Sequence, residues 1–128
     1  MAGKVEEEVM LAMLEALPVE ISFVDAEDRV RYFNKNGNRI FPRSPGVLGR
    51  RVQECHPQKS IDKVQKILDG FKAGTLDKAE FWIDLRGRKI YIRYFPVRNK
   101  DGKYMGCLEV TQDITEIQSI KGEKRLLD

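Results

Sequence analysis

The stretch Glu80–Glu116, EFWIDLRGRKIYIRYFPVRNKDGKYMGCLEVTQDITE, decides how this chain folds. Phe81 and Ile83 alternate with Glu80, Trp82 and Asp84; Ile90, Ile92 and Tyr94 then alternate with Tyr91, Arg93 and Phe95. A period of two is the pattern of half-buried strands. Arg86-Gly87-Arg88 makes a tight turn between the first two runs, and Asn99–Lys103, with Asp101-Gly102, makes another before Tyr104–Ile114. Loops this short pair neighbouring strands antiparallel.

Upstream, Ser60 reads as the N-cap of a helix with the apolar stripe Ile61, Val64, Ile67, Leu68 and Phe71, ended by Gly74. From Asn34 to Ser60, repeated Asn, Pro, Gly and Ser break any long element, so short helical turns carrying Ile40, Phe41, Val47, Leu48 and Val52 inward are expected. Before them, Val19, Ile21 and Phe23 alternate with Glu20 and Ser22, and Asp25–Asp28 turns the chain into a second strand, Val30–Phe33. Residues 4–17 have helical periodicity. Val5, Val9, Met13 and Leu17 form one stripe, widened by Met10 and Leu14, and Pro18 stops it. This stripe is the expected dimer interface. The domain therefore spans 19–115, between an amphipathic helix at 1–18 and a polar connector at 116–128 that leads toward an output or a dimer helix.

A chain of 128 residues, 41% hydrophobic and 34% charged, suits one folded domain. No apolar run nears the roughly 18 residues of a membrane span, and the acidic MAGKVEEEVM start does not read as a secretory signal. A cytoplasmic protein without membrane contact is expected, with Cys55 and Cys107 as free thiols. Seven basic and no acidic residues between Arg29 and Arg51 raise the question of nucleic acid. Alternating strand positions account for them as a solvated face, and no nucleic-acid partner is expected.

The only histidine lies in Gln53–Ser60, QECHPQKS, beside Cys55. Neighbouring side chains on a helix point about 100° apart, so Cys55 and His56 make no nucleophilic dyad, and no second histidine can replace the base. Glu80, Asp84 and Glu109 alternate onto the expected wet face. Neither a catalytic set nor a metal site emerges, and the chain does not read as an enzyme. In the structural reading His56 closes a helical turn before Pro57, and Cys55 is a small buried residue.

In order, ISFVDAEDRVRYFN, VLGRRVQECHP and the opening stretch, closing on Asp113-Ile114-Thr115, resemble a PAS domain, with CHPQKS and AEFWI similar to a prokaryotic subgroup. The resemblance implies an α+β fold: a five-stranded antiparallel sheet in the order 2-1-5-4-3, with short helices enclosing a pocket on one face. It also implies a sensory module that binds a small ligand or homodimerises and relays a change to an output domain in the same or a partner protein. A ligand-free interaction module is the alternative without a cavity. The expected pocket lining is Phe23, Phe81, Ile83, Ile90, Ile92, Tyr94 and Leu108 from the sheet. The cover contributes Ile40, Phe41, Leu48, Val52, Val64, Ile67 and Leu68. The outer sheet face, with Trp82, Tyr91 and Phe95, is expected to meet the N-terminal helix or a partner subunit. The NCRFLQ-like motif of flavin photosensors is absent, which argues against flavin. Haem stays open as a cofactor through His56 as axial ligand, making a haem-based gas or redox sensor the alternative reading.

Overall fold

The computed structural model describes residues 2–127; Met1 and Asp128, which bound the two flanking segments, lie outside the described residues. Helix α1 (Glu7–Ala16) leads into β1 (Glu20–Asp25) and β2 (Val30–Phe33). Two 3-10 turns, Pro45–Val47 and Val52–Cys55, precede α2 (Gln58–Ala73), and β3 (Ala79–Leu85), β4 (Arg88–Arg98) and β5 (Tyr104–Asp113) complete one antiparallel sheet in the order β2-β1-β5-β4-β3. This is the expected α+β architecture.

Local chemistry explains most boundaries. Arg86 and Gly87 both have positive φ, 50° and 78°, and Leu85 pairs directly with Arg88, so β3 and β4 join by a two-residue loop whose twist matches the strands. Gly74, at φ 77°, ends α2 by donating its N–H back to the Gly70 and Phe71 carbonyls. At its other end α2 starts earlier than expected. Pro57 is its N-cap, and the Ser60 hydroxyl donates to the Pro57 carbonyl inside the first turn instead of capping the helix. Proline at the cap needs no N–H partner, so the helix can begin there. After Asp113 the described residues of the connector hold one 3-10 turn, at Ile117–Ser119.

Facing residues on paired strands share a side of the sheet. The pairings Ser22 with Glu109 and Glu109 with Tyr94 define one side, and Phe23 with Leu108 and Leu108 with Phe95 define the other. The core lies on the first side, where Val24, Val30 and Cys107 pack with Val52 and with Leu68 and Phe71 of α2.

The register corrects two expected pocket residues, Phe23 and Leu108, which face outward. It corrects the expected wet position of Glu109 too. β1 and β5 are inner strands, and β1 buries the consecutive residues Glu20, Ile21 and Ser22, so neither of its faces is wet there. Apolar alternation there marks the outer face, and the inner face is partly polar. Leu48 is 46% exposed, so it does not point inward as expected, and Cys55 is only half-buried.

Helix α1 stands off the body. None of its residues is buried. Polar bonds anchor its last turn: Asn34 Nδ2 donates to the Leu14 carbonyl at 2.8 Å, and the Tyr32 hydroxyl donates to Glu15 at 3.0 Å. No helix among the described residues is long and apolar enough to cross a membrane.

Candidate functional site

His56 holds the junction between the 3-10 turn Val52–Cys55 and α2. Pro57 bars the turn from continuing, and His56 takes extended backbone, φ −115° and ψ 147°. Its imidazole folds back, with Nδ1 2.9 Å from the Val52 carbonyl. A carbonyl only accepts, so Nδ1 carries a proton, and the tautomer that the neutral ring takes here leaves the lone pair on Nε2.

The ring lines a small cavity of about 30 Å³, together with Val52, Val64, Ile67 and Leu68 from the cover and Ser22, Val24, Tyr94, Cys107 and Glu109 from the sheet, with Arg43 contributed by the loop after β2. That space suits a single water. In front of the ring a groove of about 460 Å³ runs between α2 and β3, lined by His56, Ser60, Lys63, Val64, Ile67, Phe81 and Tyr94. A third hollow of about 250 Å³, bounded by Phe41, Arg43, Val47, Cys55 and His56 among others, meets the imidazole from the side. His56 therefore lines all three spaces.

Of the expected pocket residues, the structure brings Val52, Val64, Ile67, Leu68 and Tyr94 around the enclosed cavity, Phe81 to the groove and Phe41 to the third hollow. Ile90 and Ile92 are buried on the same side of the sheet without lining the cavity, and Ile83, paired with Ile90, is 37% exposed. Ile40 lies by a separate polar cleft with Glu20, Arg39 and Thr111.

Sequence reasoning did not place Ser22, Val24 and Cys107 in the cavity lining, and it missed a set of buried charged residues as well. Arg39 and Glu20 have side chains only 1% and 4% exposed, with Nε and Oε1 3.4 Å apart. Arg39 also donates to the carbonyls of Ile21, Asn34 and Phe41 and to the Ser22 hydroxyl, while Glu20 accepts the backbone N–H groups of Ile40 and Phe41. Together they clamp the loop after β2 onto the sheet. Desolvation lowers the Arg39 pKa, opposed by the charge of Glu20. Beside this clamp, Arg43 Nη2 stands 3.8 Å from Glu109 Oε1, both side chains mostly buried. An uninterrupted basic run from Arg29 to Arg51 needs buried counter-ions if any of it turns inward, and that was the available signal.

Two further groups lining the cavity are held in their protonated forms at neutral pH. Burial, with the negative charges of Glu109 and Asp28, pushes the Cys107 thiol up to about 12. Burial likewise pushes the Tyr94 phenol well up, helped by the charge of Glu109 and its hydrogen bond to that carboxylate. Among the described residues no group of three or more His, Cys, Asp and Glu side chains could hold a metal ion.

At the far end of the sheet, the chain leaves through a polar latch. Asp113 accepts from Arg88 Nε at 2.7 Å and from the Thr115 hydroxyl at 2.7 Å, and Thr115 in turn accepts the Lys89 N–H at 2.8 Å. Arg88 also pairs with Glu116 at 2.5 Å.

A family profile described as PAS domain matches residues 10–115. No curated protein matches the chain. Among solved structures, the C-terminal domain of a Streptococcus mutans protein is 33% identical, covers 94% of each chain and superposes with a TM-score of 0.88. The PAS domain of Bordetella pertussis BvgS is 22% identical, covering 84% of this chain and 85% of that one, at a TM-score of 0.60. A sensory box sensor histidine kinase from Vibrio cholerae is 14% identical, covering 84% and 90%, at 0.59.

Proposed function

The chain belongs to the PAS domain family of sensory signal-transduction modules, and from that premise we propose that it works as a cytoplasmic homodimer that takes a small ligand beneath α2 and relays its occupancy through the segment after Asp113 to an output domain. Relay here means a population shift: a ligand that fits one arrangement of cover and sheet better than another biases the exit latch.

One observation carries the dimer. Val9, Met10 and Met13 are 46%, 45% and 54% exposed on α1, none of whose residues is buried, and Val5 just ahead of the helix is 53% exposed. An apolar stripe of this kind is stable when something covers it. The outer sheet face offers a complementary surface in a second copy. Trp82 there is 62% exposed, and Arg93 lies over the rings of Tyr91 and Phe95 at 4.7 and 5.8 Å. Acidic Glu6, Glu7 and Glu8 beside the stripe match Arg93 and Lys89 on that face. The test is the mass in solution of a Val9→Glu, Met13→Glu variant. It is expected to fall to half the wild-type value with the fold intact by circular dichroism; an unchanged mass would remove the dimer.

A second reading, haem sensing, has its own support. Histidines that ligate metals commonly donate the other ring N–H to a carbonyl, as His56 does to Val52. The enclosed cavity is too small for a macrocycle, so haem would lie in the α2–β3 groove, with His56 Nε2 as the ligand and Lys63 at the rim beside a propionate. When bound, the iron would supply gas or redox sensitivity. Added haemin should then give a Soret band that His56→Ala abolishes. A band of equal intensity in that variant, or none in the wild type, would leave the small-ligand reading alone.

A further inference from the structure

The cavity wall contains a cation, Arg43, that is paired in charge with Glu109 but whose hydrogen-bond donors its own chain leaves unmatched. The Arg43 side chain is 16% exposed, yet its guanidinium makes no hydrogen bond to any described residue; Nε is buried without a partner, and the nearest carboxylate oxygen, on Glu109, stands at 3.8 Å. A guanidinium has five N–H donors and no acceptor, and leaving such donors buried and unbonded is costly. Its neighbour Glu109, 15% exposed, is acceptor-only and uses part of its capacity on the Tyr94 hydroxyl. An unmatched donor thus sits beside a partly unused acceptor in the wall of an otherwise apolar space.

We infer that the site takes a small neutral molecule presenting one hydrogen-bond acceptor and one donor side by side, the edge of a primary amide or a lactam, on an apolar ring or chain. The carbonyl oxygen would take the Arg43 donors, and the adjacent N–H would go to Glu109. A carboxylate would satisfy Arg43 but meet the charge of Glu109. A ketone would satisfy Arg43 and leave Glu109 unused. The apolar body has its place too. Val64, Ile67, Tyr94 and His56 line both the small cavity and the groove of about 460 Å³, so these spaces are neighbours that share a wall including the imidazole. The structure records one hydrogen bond on that ring, to the Val52 carbonyl. Turning it joins the two spaces, and His56 becomes the door of the site.

This inference rests on the reading of the space beneath α2 as a ligand site. The experiment separates the two by titrating the chain with benzamide, benzoate, acetophenone and toluene while following the Arg43 Nε–H and Tyr94 ring signals by NMR. Benzamide should shift both signals and bind about tenfold or more tightly than acetophenone or benzoate, the worth of one hydrogen bond to a charged group. In Arg43→Met that preference should vanish. Benzoate binding as tightly as benzamide, or benzamide binding no better than toluene, would overturn the amide edge while the pocket stood. Failure of all four to bind would overturn the pocket as well. If Arg43→Met does not fold, the ranking of the four probes in the wild type decides alone.

Discussion

Asn34 ties three parts of the fold together with one fully buried amide. Its Oδ1 accepts the Ile21 N–H at 2.7 Å, and its Nδ2 donates to the carbonyls of Leu14 and Val19 at 2.8 and 3.1 Å, so β1, the end of α1 and the link between them share one residue. Replacing it by alanine strands several buried polar groups, and Asn34→Ala is expected to lose about 3 kcal/mol in chemical denaturation. A loss below about 1 kcal/mol would mean that water takes over the bonds. Asn34 was visible in the sequence only as a turn residue following a strand. The clamp of Glu20 and Arg39 was less visible still. A glutamate between Val19 and Ile21 looks like the wet half of an alternating strand, and only the position of β1 inside the sheet makes that half a buried one.

At the scale of elements, periodicity carried the reading where one side was solvent and faltered where neither was. α2 was legible because its stripe is interrupted by a fully wet face, although its first turn was hidden by Ser60, a good cap lying three residues past the true one. β3 and β4 kept their expected faces. β1 and β5 did not: β1 buries residues on both faces, and β5 turns the charged Glu109 inward and the apolar Leu108 outward, so polarity pointed to the wrong side. The exit of β5 allows a direct test of an element contact. The side-chain hydrogen bond from Arg88, followed by those from Thr115, holds the Asp113 carboxyl down at about 2 against an ordinary 3.8. A depressed carboxylate stabilises the folded latch above its unfolded pKa, and that contribution disappears as pH falls through the folded one. The latch should therefore be closed above about pH 4 and open progressively toward pH 2. In Arg88→Ala, the Asp113 carboxyl carbon should titrate closer to its ordinary value by NMR. A midpoint still near 2 would assign the shift to Thr115 alone.

For the molecule as a whole, strand order came from family resemblance, since short turns specify which strands are consecutive but not that β1 inserts beside β5. That insertion has a mechanical consequence. Glu20 at the start of β1 pairs with Thr111 near the end of β5, so the chain enters and leaves the sheet at the same edge of the same ladder. Tension between the flanking segments would load the β1–β5 hydrogen bonds one at a time, from Glu20 toward Asp25, as a zip opens, and never all together in shear. In a pulling experiment through its two ends the fold should yield at low force with β1 peeling first, whereas a high, abrupt rupture would mean that α1 and the Asp113 latch carry the load instead. A module so connected is soft along the line of its neighbours, and a modest tug from either side reaches its interior.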